Sequence, residues 1–69
     1  MRISARNTLE GTITHIEAGA VNSEVTLRTA AGVEVVSIIT RHSVETLGLK
    51  VGGKAYAVIK ATDVLIAVD

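Results

Sequence analysis

The stretch VEVVSIITRHSVETLGL, residues 33–49, decides the fold because its pattern changes from that of a strand to that of a helix. Six of residues 33–40 are Val, Ile or Thr, whose branched Cβ atoms suit a pleated sheet. Farther along, Val44 and Leu47 are spaced as on one face of a helix, and Gly48 is suited to a helix C-cap. We therefore predict a strand over Val33–Thr40 and a short helix over about Ser43–Leu47.

Strand patterns continue on both sides of this stretch. Val, Ile and Thr together make 25 of the 69 residues, and the chain has no proline that would interrupt a sheet. Short connections rich in Ala and Gly separate the apolar runs, as at Ala30-Ala31-Gly32. The remaining predicted strands are Thr8–Glu17, Val21–Thr29, Ala55–Lys60 and Val64–Val68, with a bend at Ala61–Asp63.

The order of these elements predicts the fold class. Three strands, a short helix and two further strands in one domain of residues 1–69 favour an all-β fold. The architecture that matches this order is a five-stranded, OB-like Greek-key barrel with the helix between strands three and four. An open meander and an SH3-like barrel are the alternatives.

The sequence also predicts that the chain forms a homo-oligomer. Residues 35–39 and 64–68 lack a polar face, and strands that are apolar on both sides are normally covered on both sides. A small barrel covers only its inner face. A chain of this length is marginally stable alone, and without cysteine it has no disulfide to reinforce it. Two histidines and no cysteine also make a structural metal site unexpected.

Composition excludes several classes of partner. The net charge is zero, with seven Lys and Arg against seven Asp and Glu, and Tyr56 is the one aromatic residue. Binding of single-stranded nucleic acid needs a basic groove and aromatic stacking platforms, so no nucleic-acid partner is expected. No apolar run approaches the ~18 residues that span a bilayer, and the N-terminus does not resemble a signal peptide. We expect a cytoplasmic protein with no membrane partner.

No catalytic constellation is evident, and we expect a protein that is not an enzyme. Ser43 and His42 are adjacent in sequence, but neighbouring residues seldom face one another on a helix or strand. His15 lies within a predicted strand, where a packing role is the simpler interpretation. The carboxylates are scattered and show no spacing typical of an acid and base pair.

Three groups of residues have properties that suit a small anion. Thr40 and Ser43 offer two hydroxyls where a strand enters the short helix, although either residue is also suited to a helix N-cap. Lys60 follows an apolar strand, where its side chain either extends to solvent or lies beside a buried anion. Ser4 and Arg6 lie near the N-terminus, where residues are usually exposed and mobile.

Three segments together resemble the molbindin family, the Mop-type molybdate-binding domain. The first is Ser4-Ala5-Arg6-Asn7, followed by Leu9 and Gly11. The second runs from Ser37-Ile38-Ile39-Thr40 through Ser43 to Leu47-Gly48, and the third is Ala57–Val64. The match covers residues 3–68 and implies a single Mop-type oxyanion-binding domain over residues 1–69.

The resemblance implies an OB-like barrel that assembles as a homohexamer, a trimer of dimers, and binds molybdate or tungstate at subunit interfaces. The implied role is storage or buffering of the oxyanion in the cytoplasm, with no cofactor and no metal bound except as the oxyanion. Ser4 and Arg6 of one subunit would face Thr40, Ser43, Lys60 and Ala61 of its neighbour, and the Arg6 side chain would pair with a carboxylate. A second class of site is expected near a threefold axis, with Asn22 and Ser23 as its candidate residues. The alternative is a structural or interaction barrel without a small-molecule ligand.

Overall fold

The computed structural model of the chain describes all 69 residues and contains one antiparallel sheet and one short α-helix. The strands lie side by side in the order β3-β2-β1-β4. A 3-10 turn at Ala61–Asp63 confirms the predicted bend. The elements are β1 (Asn7–Ala18), β2 (Asn22–Thr29), β3 (Glu34–Thr40), α1 (Arg41–Leu47) and β4 (Lys54–Ile59).

The long strand β1 is the centre of the sheet because it pairs with β4 along its first half and with β2 along its second half. A β-bulge between Ile13 and His15 interrupts the pairing with β2, and such a bulge bends a strand and increases its twist. The turn before β4 is hydrogen-bonded to β1 at Ile13, beside this bulge. The Ile13 N–H donates to the Gly53 oxygen at 2.9 Å, and the Gly52 N–H donates to the Ile13 oxygen at 2.8 Å.

Gly11 permits the closest approach of backbones in the sheet. It pairs with Thr29 on one side and with Ala55 on the other. A Cβ atom at this position would lie 2.6 Å from the backbone oxygen of Arg28 and 2.6 Å from Leu27 Cδ2. A side chain at position 11 would therefore force these neighbouring atoms to shift.

The protomer has a very small core on the inner face of the sheet. Five of 69 residues are buried, and the apolar ones are Ile13, Val25 and Leu27. The rest of the inner face borders an open apolar groove of about 630 Å³, which is lined by 16 residues of which 14 are hydrophobic. One copy of the chain therefore leaves most of its apolar surface uncovered.

Helix α1 begins and ends as the sequence suggests, although it starts two residues earlier than predicted. Thr40 is the N-cap, and Gly48 is the C-cap in the left-handed conformation, with φ of 63°. The helix packs mainly against β2 and β3. None of its residues is buried, so its position depends more on the caps than on a packed face.

The prediction of a fifth strand at Val64–Val68 is wrong for the protomer. This segment pairs with no strand, and the sheet has four strands rather than five. Leu65 is 92% exposed and Val68 is 91% exposed. A segment that is apolar on both faces needs cover on both faces, and one protomer supplies neither. The all-β class and the single helix between the third and fourth strands are confirmed, whereas the protomer forms a curled sheet and not a closed five-stranded barrel.

Candidate functional site

The first group of candidate residues lies where β3 enters α1. The Thr40 hydroxyl oxygen accepts a hydrogen bond from the Ser43 N–H at 3.0 Å. The same hydroxyl donates to Ser43 Oγ at 2.8 Å. The capping interpretation of Thr40 is therefore confirmed. Because Thr40 uses its one hydroxyl hydrogen on Ser43, the Ser43 hydroxyl keeps its own hydrogen for another acceptor.

The second group lies at the far end of the β1–β4 pair. The last paired residues are Asn7 and Ile59, and the Asn7 side chain donates to the Ile59 oxygen at 3.4 Å. Arg6, just before β1, and Lys60, just after β4, are the next residues beyond this pair, and both are exposed. Ser4 lies shortly before β1, and Ala61 is the first residue of the 3-10 turn that follows Lys60. These four candidate residues therefore belong to one end of one protomer.

The two groups lie at opposite edges of the sheet. Thr40 ends β3, Lys60 follows β4, and the sheet order places β2 and β1 between those strands. The strand register thus groups Lys60 and Ala61 with Ser4 and Arg6. The expected division between subunits, with Lys60 and Ala61 on the subunit that supplies Thr40, stays a prediction about the assembly. The grouping of Lys60 with Arg6 could not be read from the sequence, because the pairing of β1 with β4 joins residues 42 to 52 positions apart.

Charges at the second group are not neutralised within the protomer. The two ion pairs are Arg41 with Glu45 at 3.5 Å and Lys54 with Glu10 at 3.0 Å. Arg6 and Lys60 take part in neither pair, so the carboxylate partner expected for Arg6 is not found on its own chain. The end of the β1–β4 pair therefore presents two cations that form no ion pair within the protomer.

Lys54 marks a different, internally neutralised place on the sheet. Its ammonium forms the ion pair with Glu10 and lies 5.7 Å from the centre of the Tyr56 ring. The hydrogen bond to Glu10, followed by the interaction with Tyr56, raises the pKa of Lys54 above its usual value. This lysine is therefore already paired, unlike Lys60.

The two candidate residues of the second class of site point in opposite directions. Asn22 and Ser23 are consecutive in β2, so their side chains lie on opposite faces of the sheet. Asn22 is exposed and lies directly opposite Thr40 in the β2–β3 pair. Ser23 is 2% exposed, and its hydroxyl has no hydrogen-bond partner. The protomer does not bring these two side chains to one ligand.

The adjacent Ser43 and His42 do not form a nucleophile and base pair. His42 Nε2 instead lies 3.3 Å from the Thr46 hydroxyl, one turn along α1. No three His, Asp or Glu side chains are grouped in a way that would hold a metal ion. The structure has no helix of the length and apolar character needed to cross a membrane.

Comparisons with known proteins show which family the chain belongs to. The TOBE domain family matches residues 3–66. The chain is 50% identical over 66 residues to molybdenum-pterin-binding protein 3 of Clostridium pasteurianum, covering 96% of this chain and 97% of that protein.

Solved structures with the same fold include two molybdenum-related proteins. MopII from Clostridium pasteurianum, in an apo form, has a TM-score of 0.93 and 46% identity, with 97% of this chain and 100% of that chain covered. The cytoplasmic molybdate-binding protein ModG, with molybdate bound, has a TM-score of 0.85 and 56% identity. This match covers 88% of our chain and 43% of the ModG chain. The chain therefore belongs to the molbindin family of molybdenum-pterin-binding proteins, with a TOBE domain over residues 3–66.

Proposed function

We propose that this protein binds molybdate or tungstate as the intact oxyanion, between copies of itself, and stores or buffers the ion in the cytoplasm. The observation that carries the proposal is the pair of unneutralised cations, Arg6 and Lys60, beside Ser4 at one sheet edge, with the linked hydroxyls of Thr40 and Ser43 at the other. Each group is half of a site, and a second copy supplies the other half.

The chemistry of the two groups suits a tetrahedral dianion. Molybdate carries no proton at neutral pH, so it needs hydrogen-bond donors and positive charge and no acceptor. The Ser4 hydroxyl, the one free hydroxyl hydrogen of the Thr40–Ser43 pair and the backbone N–H groups of Arg6 and Ala61 would supply donors, and Lys60 would supply charge. Hydrogen bonds to charged groups contribute about 1.5–3 kcal/mol each. Five or six of them support an affinity on the order of micromolar, about −8 kcal/mol, after the costs of association.

The incompleteness of the protomer supports assembly into a homohexamer, a trimer of dimers. Residues Val64–Val68 are exposed and apolar, and the inner-face groove of the same chain is also uncovered. We propose that this segment of one copy covers apolar surface of another copy and completes the five-stranded barrel there. The same contact would bring the Thr40 edge of one subunit to the Lys60 edge of its partner.

The geometry favours a bare oxyanion over a molybdenum-pterin complex, although the names of the relatives include pterin. An aromatic surface for stacking and a carboxylate for the amino edge are contacts that favour binding of a pterin ring. Tyr56 is the one aromatic side chain, and Lys54 lies over its ring. Glu10, directly across from Tyr56, is already paired with Lys54. Both groups already interact with Lys54, so we propose that the ligand is the oxyanion alone.

We place the protein in the cytoplasm and describe its activity as binding rather than catalysis. ModG, with which it shares the fold, is described as a cytoplasmic molybdate-binding protein. The proposed site consists of donors and a cation, and it contains no base or nucleophile that would act on the bound ion. We propose no second-class site at Ser23, since its side chain is buried.

A thermal melting scan tests the proposal against the alternative of a ligand-free interaction barrel. Saturation at ~100 times the dissociation constant stabilises a protein by about 2.7 kcal/mol per site. We expect molybdate and tungstate, but not pterin, to raise the melting temperature, and light scattering to report six subunits. Sulfate at equal concentration controls for a general effect of dianions. A melting temperature that none of the oxyanions changes would refute the proposed function and favour the ligand-free barrel.

A further inference from the structure

The pairing of Asn22 with Thr40 differs from an ordinary cross-strand neighbourhood. The two residues are directly opposite in the β2–β3 pair. The backbone hydrogen bond at this end joins the flanking residues, from the Arg41 N–H to the Val21 oxygen at 2.8 Å. Asn22 and Thr40 are therefore a non-hydrogen-bonded pair, in which the Cα atoms lie about 4.5 Å apart and the side chains are closest.

The Asn22 carboxamide is exposed and free within the protomer. It makes no side-chain hydrogen bond to any other residue of the chain. Directly opposite residues of a pair point to the same face of the sheet, so the carboxamide stands on the face where the Thr40 side chain lies. A carboxamide nitrogen carries two N–H donors. Both are unused beside Thr40.

The Thr40–Ser43 group alone is a poor donor set for a dianion. Thr40 donates its hydroxyl hydrogen to Ser43, so the two hydroxyls offer one free hydrogen between them. Two N–H groups from Asn22 would raise the free side-chain donors at this edge from one to three.

We propose that Asn22 is an oxyanion-binding residue of the same half-site as Thr40 and Ser43, and not part of a separate site with Ser23. This inference rests on the proposed function. One carboxamide N–H group donates to the oxyanion held between this edge and the Lys60 edge of a second copy. Ser23 contributes nothing to this ligand, because its side chain is buried on the other face.

Isothermal titration of the full chain with molybdate tests the assignment through three substitutions at one position. Asn22→Ala removes the donors, and we expect about tenfold weaker binding, as for loss of one hydrogen bond to a charged group. Asn22→Asp keeps the shape but sets a carboxylate against the dianion, and we expect about hundredfold weaker binding. Asn22→Thr keeps a donor on a residue that suits a strand, and we expect binding within about threefold of wild type.

The control is Glu34→Gln, at the other end of the β2–β3 pair opposite Arg28, which should bind as wild type does. If the wild-type protein binds molybdate and both Asn22→Ala and Asn22→Asp bind it with the same affinity, this inference alone is overturned. A fall in the number of bound ions with unchanged affinity at the remaining sites would also overturn it, because Asn22 would then serve a separate site. A wild-type protein that does not bind molybdate would refute the proposed function together with this inference.

Discussion

Arg6 and Lys60 lie just beyond Asn7 and Ile59, the last residue pair of the β1–β4 ladder. One protomer therefore places two unpaired cations at the same edge. Like charges opposite each other on neighbouring strands are unfavourable to one another. A bound dianion removes that repulsion. The edge is therefore better suited to a protomer with ligand and partner than to one alone.

Removal of the Lys60 charge should nearly abolish oxyanion binding. We expect Lys60→Ala to weaken molybdate binding by at least about tenfold, since a charge-assisted hydrogen bond is worth about 1.5–3 kcal/mol. The hexamer should survive. Isothermal titration measures the affinity and light scattering the subunit count. Lys50→Ala, an exposed lysine in the turn before β4, is the matched control and should bind normally. Equal affinity in both variants would remove Lys60 from the site.

Thr40 should affect stability and binding through the same hydroxyl. Thr40→Ala removes the N-cap of α1, which typically costs about 1 kcal/mol of unfolding free energy, and it releases the Ser43 hydroxyl. Thr40→Ser keeps both hydrogen bonds with Ser43. We expect chemical denaturation to show the loss of stability in Thr40→Ala alone, and titration to show weaker molybdate binding in that variant alone. If Thr40→Ser is as defective as Thr40→Ala, the threonine methyl group rather than the hydroxyl is what matters.

Much of the fold follows from local sequence, and the exceptions have a common cause. Strand and helix ranges were predictable because β-branched runs and the caps at Thr40 and Gly48 act over a few residues. The helix start was misplaced by two residues because Thr40 itself, rather than a later residue, is the cap. The fifth strand was wrong because Val64–Val68 has no pairing partner within one protomer.

The candidate site was predictable as a set of residue types but not as a geometry. The family resemblance identified Ser4, Arg6, Thr40, Ser43 and Lys60 and divided them between two subunits, but it did not place them on the edges of the sheet. That information lies in the register of strands that are distant in sequence. The β-bulge after Ile13 shifts the β1–β2 register by one residue, and a one-residue shift exchanges the faces to which side chains point. The opposite directions of Asn22 and Ser23 follow from alternation alone, and this signal was available in the sequence.

A glycine requirement at position 11 should be detectable as a loss of stability. Gly11→Ala would place a Cβ 2.6 Å from the Arg28 backbone oxygen, and the strands must separate to relieve this contact. Overpacking of this kind costs about 1–3 kcal/mol, measurable by chemical denaturation. Gly48→Ala is the comparison, because a Cβ there meets no atom within 4 Å but φ is +63°; it should cost about 1 kcal/mol. A Gly11→Ala protein as stable as wild type would contradict the close approach of β1 and β2.

The C-terminal segment should control assembly and ligand binding together. Leu65 is 92% exposed in the protomer, and we expect its side chain to be covered by another copy. Leu65→Asp would bury an unpaired charge in that contact, which is strongly unfavourable, so light scattering should report smaller particles. Because the two half-sites come from different copies, molybdate binding should fall with the subunit count. Leu65→Ile, which conserves volume, should leave both properties unchanged. A Leu65→Asp protein that stays hexameric would show that residue 65 lies outside the interface, and one that binds molybdate tightly as a monomer would show that a single copy completes the site.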